Sequence, residues 1–170
     1  RVEKKDSRDP VLHLWNENER PTKMRIRATA GCLLLSPGGS AKQAVKTLNA
    51  VRPRLLPQGL RVHALLCKAY AYKRTGKERQ ARRLLSQASR KYPRNLDVFL
   101  NASGGLLRTG RLRAAKKLIE KRLKLFPGDY WALYQLAVFY MKKGDAKKAI
   151  ESLDRITSGP KPDARAFNQK

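Results

Sequence analysis

The sequence is short of acidic residues, of cysteine and of histidine, and it lacks any long apolar run. Its 170 residues include 13 Asp and Glu against 39 Lys and Arg, which gives a formal net charge of +26. Apolar stretches such as Cys32 to Leu35 are far below the about 18 residues that a membrane-spanning helix needs. No apolar segment follows the polar start at Arg1, so we expect neither a signal peptide nor a transmembrane helix.

The two cysteines and two histidines give no sign of a metal centre. Cys32 and Cys67 form no CxxC pair, and His13 and His63 are not at the spacing of metal ligands. We therefore expect no bound metal and two buried, reduced thiols. Reduced thiols are typical of an intracellular compartment or an organelle matrix.

The residue types needed for catalysis do not occur together. The few acids are dispersed, so no pair of carboxylates is placed for acid–base chemistry. Pro37–Gly38–Gly39 lacks the following Lys-Ser or Lys-Thr of a phosphate-binding loop, and Gly104–Gly105 falls within a helix-forming stretch. We predict a protein that is not an enzyme, with no cofactor and no small-molecule substrate.

A 34-residue period organises the chain from about Leu60 to Ser158. A glycine recurs at this spacing, an alanine follows it by five residues, and an aliphatic residue follows the alanine by four. Glycine adopts the positive φ that ends a helix, and alanine lets a second helix press closely on the first. The pattern predicts helix–turn–helix hairpins that bury their apolar faces on their neighbours. The repeated residues are Gly76, Gly110 and Gly144, then Ala81, Ala115 and Ala149, then Leu85, Ile119 and Leu153.

This framework resembles the tetratricopeptide repeat, and the resemblance implies an all-α, right-handed α-solenoid of helix–turn–helix repeats. We divide residues 23–158 into a degenerate repeat, 23–59, and three regular repeats, 60–93, 94–127 and 128–158. In the degenerate repeat Gly39 takes the place of the turn glycine, and Ser40 is the expected N-cap of the second helix. The flanking segments are predicted as an extended arm, 1–22, anchored around Trp15, and a C-terminal tail, 159–170.

The charges, placed on the repeat, predict basic rows along one edge, because equivalent positions of stacked repeats lie side by side. One row precedes the turn glycines and another opens the second helices. More cations, Lys121 and Arg122 among them, are expected further along the second helices on the outer face. Such a surface would follow phosphates, whereas the alternative is an ordinary solvated convex face. The predicted polyanion-binding residues are Arg74, Arg108, Lys142, Arg79, Arg113, Lys147, Lys77, Arg111, Arg82, Arg83, Lys116 and Lys117.

The resemblance also implies a concave groove lined by the first helix of each repeat. Trp131 and Gln135 stand where a clamp for C-terminal carboxylates would need Lys and Arg, so we do not expect such a clamp. The groove is neutral and partly aromatic, which suits a partner helix, an extended segment or stacked bases. The predicted groove residues are Cys67, Tyr70, Asn101, Trp131, Tyr134 and Gln135.

The leading functional hypothesis is a non-catalytic scaffold of a ribonucleoprotein assembly, which contacts RNA through its basic edge and a protein through its groove. By analogy with other basic helical-repeat proteins, we expect ribosomal RNA and an organellar ribosome. A mitochondrial or plastid matrix is favoured over the nucleus or cytosol. One alternative is an adaptor whose basic surface binds an acidic protein or an anionic membrane. The other is a nuclear or nucleolar RNA-processing factor.

Overall fold

The computed structural model describes residues 20–158, and all regular structure within those bounds is helical. A single 3-10 turn, Pro53–Leu55, lies between the second and third α-helices. The predicted tail and the first nineteen residues of the predicted arm, with Trp15, lie outside the described residues. The helices are α1 (Arg20–Leu33), α2 (Ala41–Asn49), α3 (Gln58–Arg74), α4 (Glu78–Lys91), α5 (Leu96–Arg108), α6 (Leu112–Leu125), α7 (Tyr130–Lys143) and α8 (Ala146–Thr157).

The first compact unit ends at Lys77 and contains α1, α2 and α3. Helix α1 packs on both α2 and α3, and α2 also packs on α3. Ser40 is the N-cap of α2, as predicted, because its hydroxyl accepts a hydrogen bond from the Gln43 amide at 3.3 Å. The prediction of an extended arm to residue 22 is wrong at its end, since α1 already begins at Arg20. The core of this unit is formed by Met24, Ala28, Leu48, Leu56 and Ala64.

The second compact unit begins at Glu78 and contains α4 to α8. Each helix packs on the next along the chain, and α5 also packs on α7. Asn95 and Asp129 are the N-caps of α5 and α7, because their side chains accept hydrogen bonds from amides three residues later. The boundary between the two units falls between α3 and α4, inside the segment predicted as repeat 60–93. The core of the second unit is formed by Phe99, Leu107, Ala115, Ile119, Ala132, Leu136 and Phe139.

The turn glycines of the three regular repeats behave as predicted. Gly76, Gly110 and Gly144 have φ angles of 74°, 70° and 78°, in the region that only glycine enters without strain. In the degenerate repeat the prediction of Gly39 is wrong by one residue. Gly38 has the positive φ of 81°, because the chain turns one residue earlier between α1 and α2.

The repeated alanines are buried within the packed helices. Ala81 and Ala115 are 0% exposed and Ala149 is 4% exposed. The aliphatic position behind them is buried at Leu85 and Ile119, whereas Leu153 in the last helix remains 39% exposed. The alanine spacing therefore marks buried positions on the second-unit helices α4, α6 and α8.

Arg122 is buried, and the prediction that it faces outward is wrong. Its Nε and Nη2 donate to Asp129 Oδ2 at 2.9 and 2.7 Å, and its Nη1 donates to the Arg94 carbonyl at 2.6 Å. The guanidinium also lies over the Phe126 ring, 4.4 Å from the centroid. Because Asp129 caps α7, this one cation connects the end of α6, the start of α7 and the loop before α5.

We predict that Arg122→Ala lowers the free energy of unfolding by about 3–5 kcal/mol, since it leaves the Asp129 carboxylate buried without its partner. The two side chains are only 8% and 10% exposed. The matched control is Arg108→Ala, whose ion pair with Glu78 is 60% and 39% exposed and should contribute less than about 1 kcal/mol. Guanidinium unfolding measures both. Equal losses for the two variants would contradict the account.

Candidate interaction surfaces

The predicted polyanion-binding cations are mostly at the surface. Ten of the twelve are exposed, and the other two, Arg82 and Lys116, are half-buried. Some already have partners within the protein. Arg108 pairs with Glu78 at 3.4 Å, Lys116 pairs with Glu120 at 3.4 Å, and Arg74 donates to the Leu35 carbonyl at 3.1 Å. These three cations have less freedom to meet an external phosphate than the sequence implies.

The two predicted basic rows stay predictions. Arg74 and Lys77 belong to the first unit and the other ten residues belong to the second. One row also has a structural explanation of its own. Arg74, Arg108 and Lys142 lie in the last turns of α3, α5 and α7, where a cation is stabilised by the helix dipole.

A stronger charge signal, which the 34-residue period does not reveal, lies in the first unit. No Asp or Glu occurs anywhere from Arg20 to Lys77, while Lys and Arg occur thirteen times in that segment. The missed cations include exposed residues on α1, on α2 and around the 3-10 turn. A running count of acids along the sequence would have found them, because the signal is a long segment without Asp or Glu rather than a periodic motif. The exposed members outside the predicted rows are Arg25, Lys42, Lys46, Arg52 and Arg54.

The second unit differs because its acids balance part of its charge locally. Lys148 donates to Asp145 at 3.0 Å, and this hydrogen bond lowers the pKa of the Asp145 carboxyl and raises that of the Lys148 ammonium. In the first unit, burial rather than an ion pair lowers the pKa of the Lys68 ammonium. The excess of basic over acidic residues is therefore densest over residues 20–77.

Helix α7 presents an exposed apolar face. Tyr130, Trp131, Tyr134 and Met141 are 38%, 37%, 43% and 66% exposed, which is unusual for such large side chains on one helix. Tyr130 and Trp131 meet edge to face with their ring centroids 5.1 Å apart. We call these four residues the α7 face. Trp131 and Tyr134 are predicted groove residues. Tyr130 and Met141 were not predicted, although their spacing places them on the same side of the helix.

The other predicted groove residues are divided between the two units. Cys67 and Tyr70 are on α3 in the first unit, whereas Asn101 and Gln135 are on α5 and α7 in the second. Tyr70 and Asn101 are exposed, and Cys67 and Gln135 are half-buried. The Asn101 amide donates to the Asp97 carbonyl of its own helix at 2.9 Å. Of the predicted groove residues in the second unit, Asn101, Trp131 and Tyr134 are therefore exposed.

The two cysteines are not the buried free thiols that the sequence predicts. Cys32 of α1 and Cys67 of α3 form a disulfide, and both residues are half-buried. Their Cα atoms lie 5.4 Å apart, within the range that a disulfide spans, because α1 packs directly on α3. The expectation of a reducing compartment was based on free thiols, and the disulfide removes that basis.

Comparison with known families bears directly on this helical architecture. Two family profiles, both described as tetratricopeptide repeat, match residues 63–95 and 106–168, and together they cover more than half of the chain. The chain belongs to the tetratricopeptide-repeat family. Proteins built from these repeats are in general non-catalytic scaffolds for protein–protein interaction.

Individual relatives extend the agreement. The chain is 28% identical over 120 residues to the TPR repeat-containing protein YpiA of Bacillus subtilis, which covers 71% of this chain and 28% of that protein. It therefore spans less than a third of the length of this curated relative. MamA of Desulfovibrio magneticus RS-1, in a structure that starts at its residue 41, superposes with a TM-score of 0.59 at 18% identity. That match covers 82% of this chain and 75% of the other.

A second MamA structure, from MSR-1, superposes with a TM-score of 0.52 at 21% identity, over 82% of this chain and 74% of the other. At these identities the likeness shows the fold alone. It confirms the predicted all-α tetratricopeptide solenoid. Among the helices that the structure describes, none has both the length and the apolarity to cross a membrane.

We predict that reducing the Cys32–Cys67 disulfide destabilises this tetratricopeptide protein by about 3–4 kcal/mol, because the bridge closes a loop between residues 35 apart in sequence. The measurement is guanidinium unfolding with and without a phosphine reductant. A Cys32→Ser/Cys67→Ser double variant is the control and should show no difference between the two conditions. Two freely titrating thiols in the unreduced, unfolded protein would contradict the assignment.

Proposed function

We propose that this chain is a non-catalytic tetratricopeptide scaffold that binds RNA through the cations of its first unit. The observation that carries the proposal is the absence of any carboxylate side chain from Arg20 to Lys77. Tetratricopeptide hairpins require apolar faces and turn glycines, but nothing in the repeat requires a surface without acids. A surface that only needs solubility is normally mixed in sign.

The physical consequence is a strong and local attraction for polyanions. Exposed Lys and Arg that neutralise phosphates release condensed counterions, so binding is largely independent of sequence and falls steeply with salt. Lys42 and Lys46 illustrate the arrangement, because they lie one turn apart on α2 and are both exposed. Two such cations face solvent in a segment, from Arg20 to Lys77, that contains no acid.

The kind of assembly, the RNA and the compartment belong to the same proposal. We place the chain in a ribonucleoprotein assembly, with ribosomal RNA as the RNA and a mitochondrial or plastid matrix as the site. The charge supports contact with RNA. An anionic membrane or an acidic protein also presents negative charge. For that reason binding to RNA has to be compared with binding to anionic vesicles.

We predict that the protein binds a generic hairpin RNA with a dissociation constant that rises steeply with salt. With four or more phosphates neutralised, the slope of log affinity against log salt should be steeper than about −3. Lys42→Gln/Lys46→Gln should make the slope shallower by about 1 for each lysine that contacts a phosphate, with the helical circular dichroism unchanged. Fluorescence anisotropy over a salt series measures this.

The matched control is Lys143→Gln/Arg155→Gln, which removes the same charge from exposed positions close to the acids of the last hairpin. The proposal expects a smaller change in slope for this pair. Binding to anionic vesicles but not to RNA would overturn the RNA assignment in favour of a membrane. A salt-independent affinity, or equal effects of the two double variants, would remove the special role of the first unit.

A second surface supports a protein partner. The α7 face exposes three aromatic rings and one methionine, residue types that are enriched where proteins bind each other. An amphipathic peptide helix can bind such an apolar surface through large apolar side chains on one of its faces. Because the whole chain carries a net charge of +26, we infer that the segment is acidic and has large apolar residues at helical spacing.

We predict that a peptide-display selection against the protein enriches such acidic amphipathic peptides, and that Trp131→Ala weakens the selected peptides by more than tenfold. Loss of a central aromatic anchor commonly costs about 2 kcal/mol or more. Ile150→Ala on α8 is the control, since it also removes a large exposed apolar side chain but from another helix. Peptides that bind the Trp131 variant as tightly as the unchanged protein would contradict the assignment of this face.

A further inference from the structure

Three groups that bind soft metal ions come together in the first unit. The Cys32 side chain from α1 meets those of His63 and Cys67 from α3, and their ligand atoms all lie within 4.8 Å of one another. His63 and Cys67 are four residues apart, so they lie on the same side of α3. The Cys67 Sγ is 3.6 Å from the His63 Nε2.

We propose that, once the Cys32–Cys67 disulfide is reduced, these three residues form a binding site for Zn²⁺ or a similar soft divalent cation. A dithiol or a phosphine supplies the two electrons and becomes oxidised, and each sulfur takes up one proton as the S–S bond breaks. The metal ion then displaces those two protons to solvent and bonds to two thiolates and to the neutral imidazole.

The distances suit a tetrahedral site. Zn–S bonds of about 2.3 Å and Zn–N bonds of about 2.0–2.1 Å place the sulfur and nitrogen of adjacent ligands about 3.5 Å apart. The observed separation of Cys67 Sγ and His63 Nε2 matches this value without any movement. The sulfur of Cys32 has to move away from that of Cys67, which breakage of the S–S bond permits.

The composition of the first unit selects the kind of ion. Between Arg20 and Lys77 there is no carboxylate to attract Mg²⁺ or Ca²⁺, whereas two thiolates and an imidazole favour Zn²⁺. Two thiolates also cancel the charge of a divalent ion, so the site adds no positive charge to a segment that is already strongly basic. The three protein ligands leave a fourth position for water or for a group from a partner.

The sequence alone does not indicate this site, because Cys32 is far along the chain from the His63–Cys67 pair. Only the packing of α1 on α3 brings Cys32 to the His63–Cys67 pair. The disulfide and the metal ion are alternatives, since the same two sulfurs serve both, and either one fastens α1 to α3. The redox state of the pair would therefore decide whether the site exists.

The experiment uses the full chain, reduced with a phosphine and exchanged without oxygen into reductant-free buffer. Co²⁺ is the probe. The expected result is one ion bound per chain, with intense thiolate-to-cobalt charge-transfer absorption and the visible bands of tetrahedral Co²⁺, both lost when Zn²⁺ is added. The oxidised protein should show neither signal.

Variants make the assignment specific. His63→Ala should weaken Co²⁺ binding by at least about tenfold, because even groups that only support a metal ligand contribute about 10–100-fold. His63 is exposed, so its loss should leave the fold intact, and circular dichroism checks this. His13→Ala is the matched control and should bind like the unchanged protein, while Cys32→Ser should lose most of the charge-transfer absorption. No charge-transfer band in the reduced protein, or unchanged affinity in His63→Ala, would overturn the proposal.

Discussion

The close approach of helices at buried alanines is the constraint on which the rest of this structure depends. Ala81, Ala115 and Ala149 recur with the repeat and are almost completely inaccessible. Each of them needs a turn glycine five residues earlier to reverse the chain, and each brings a second helix against its neighbours. A repeat of this kind buries its apolar face only on adjacent helices, so its surface remains free to vary. That freedom allows one segment to carry only positive charge and another helix to expose aromatic rings.

The fold was predictable to a large extent because its signals are local and periodic. Positive φ at Gly76, Gly110 and Gly144 follows from a turn that only glycine makes without strain. Errors occurred where the period weakens. Before the first regular repeat, Gly38 and Gly39 are adjacent, and nothing in the sequence decides which of them turns the chain. Arg122 was misplaced because a charge pattern suggests solvent, whereas its burial depends on Asp129 and on the Arg94 carbonyl, which only tertiary packing places beside it.

The candidate sites were predictable to a smaller extent, and for a related reason. Exposure of the repeat-related cations follows from the period, but their role does not, since helix dipoles and local acids account for some of them. The lack of acids from Arg20 to Lys77 is a property of a whole segment, and a search for equivalent repeat positions does not detect it. The Cys32–Cys67 pairing depends on contact between α1 and α3, which the hairpin pattern does not specify. The sequence predicts the individual helices and turns, but it does not predict which helices contact each other.

RNA and protein are proposed to bind different parts of one tetratricopeptide scaffold, with RNA on residues 20–77. Lysine footprinting by acetylation, with and without a bound hairpin RNA, tests this most directly because every lysine is read in one experiment. The account predicts that protection is concentrated at Lys42, Lys46 and Lys77, while Lys117, Lys124 and Lys143 of the second unit acetylate at nearly the same rate in both samples. Protection that is strongest on the second unit, or that is spread evenly over both, would contradict it.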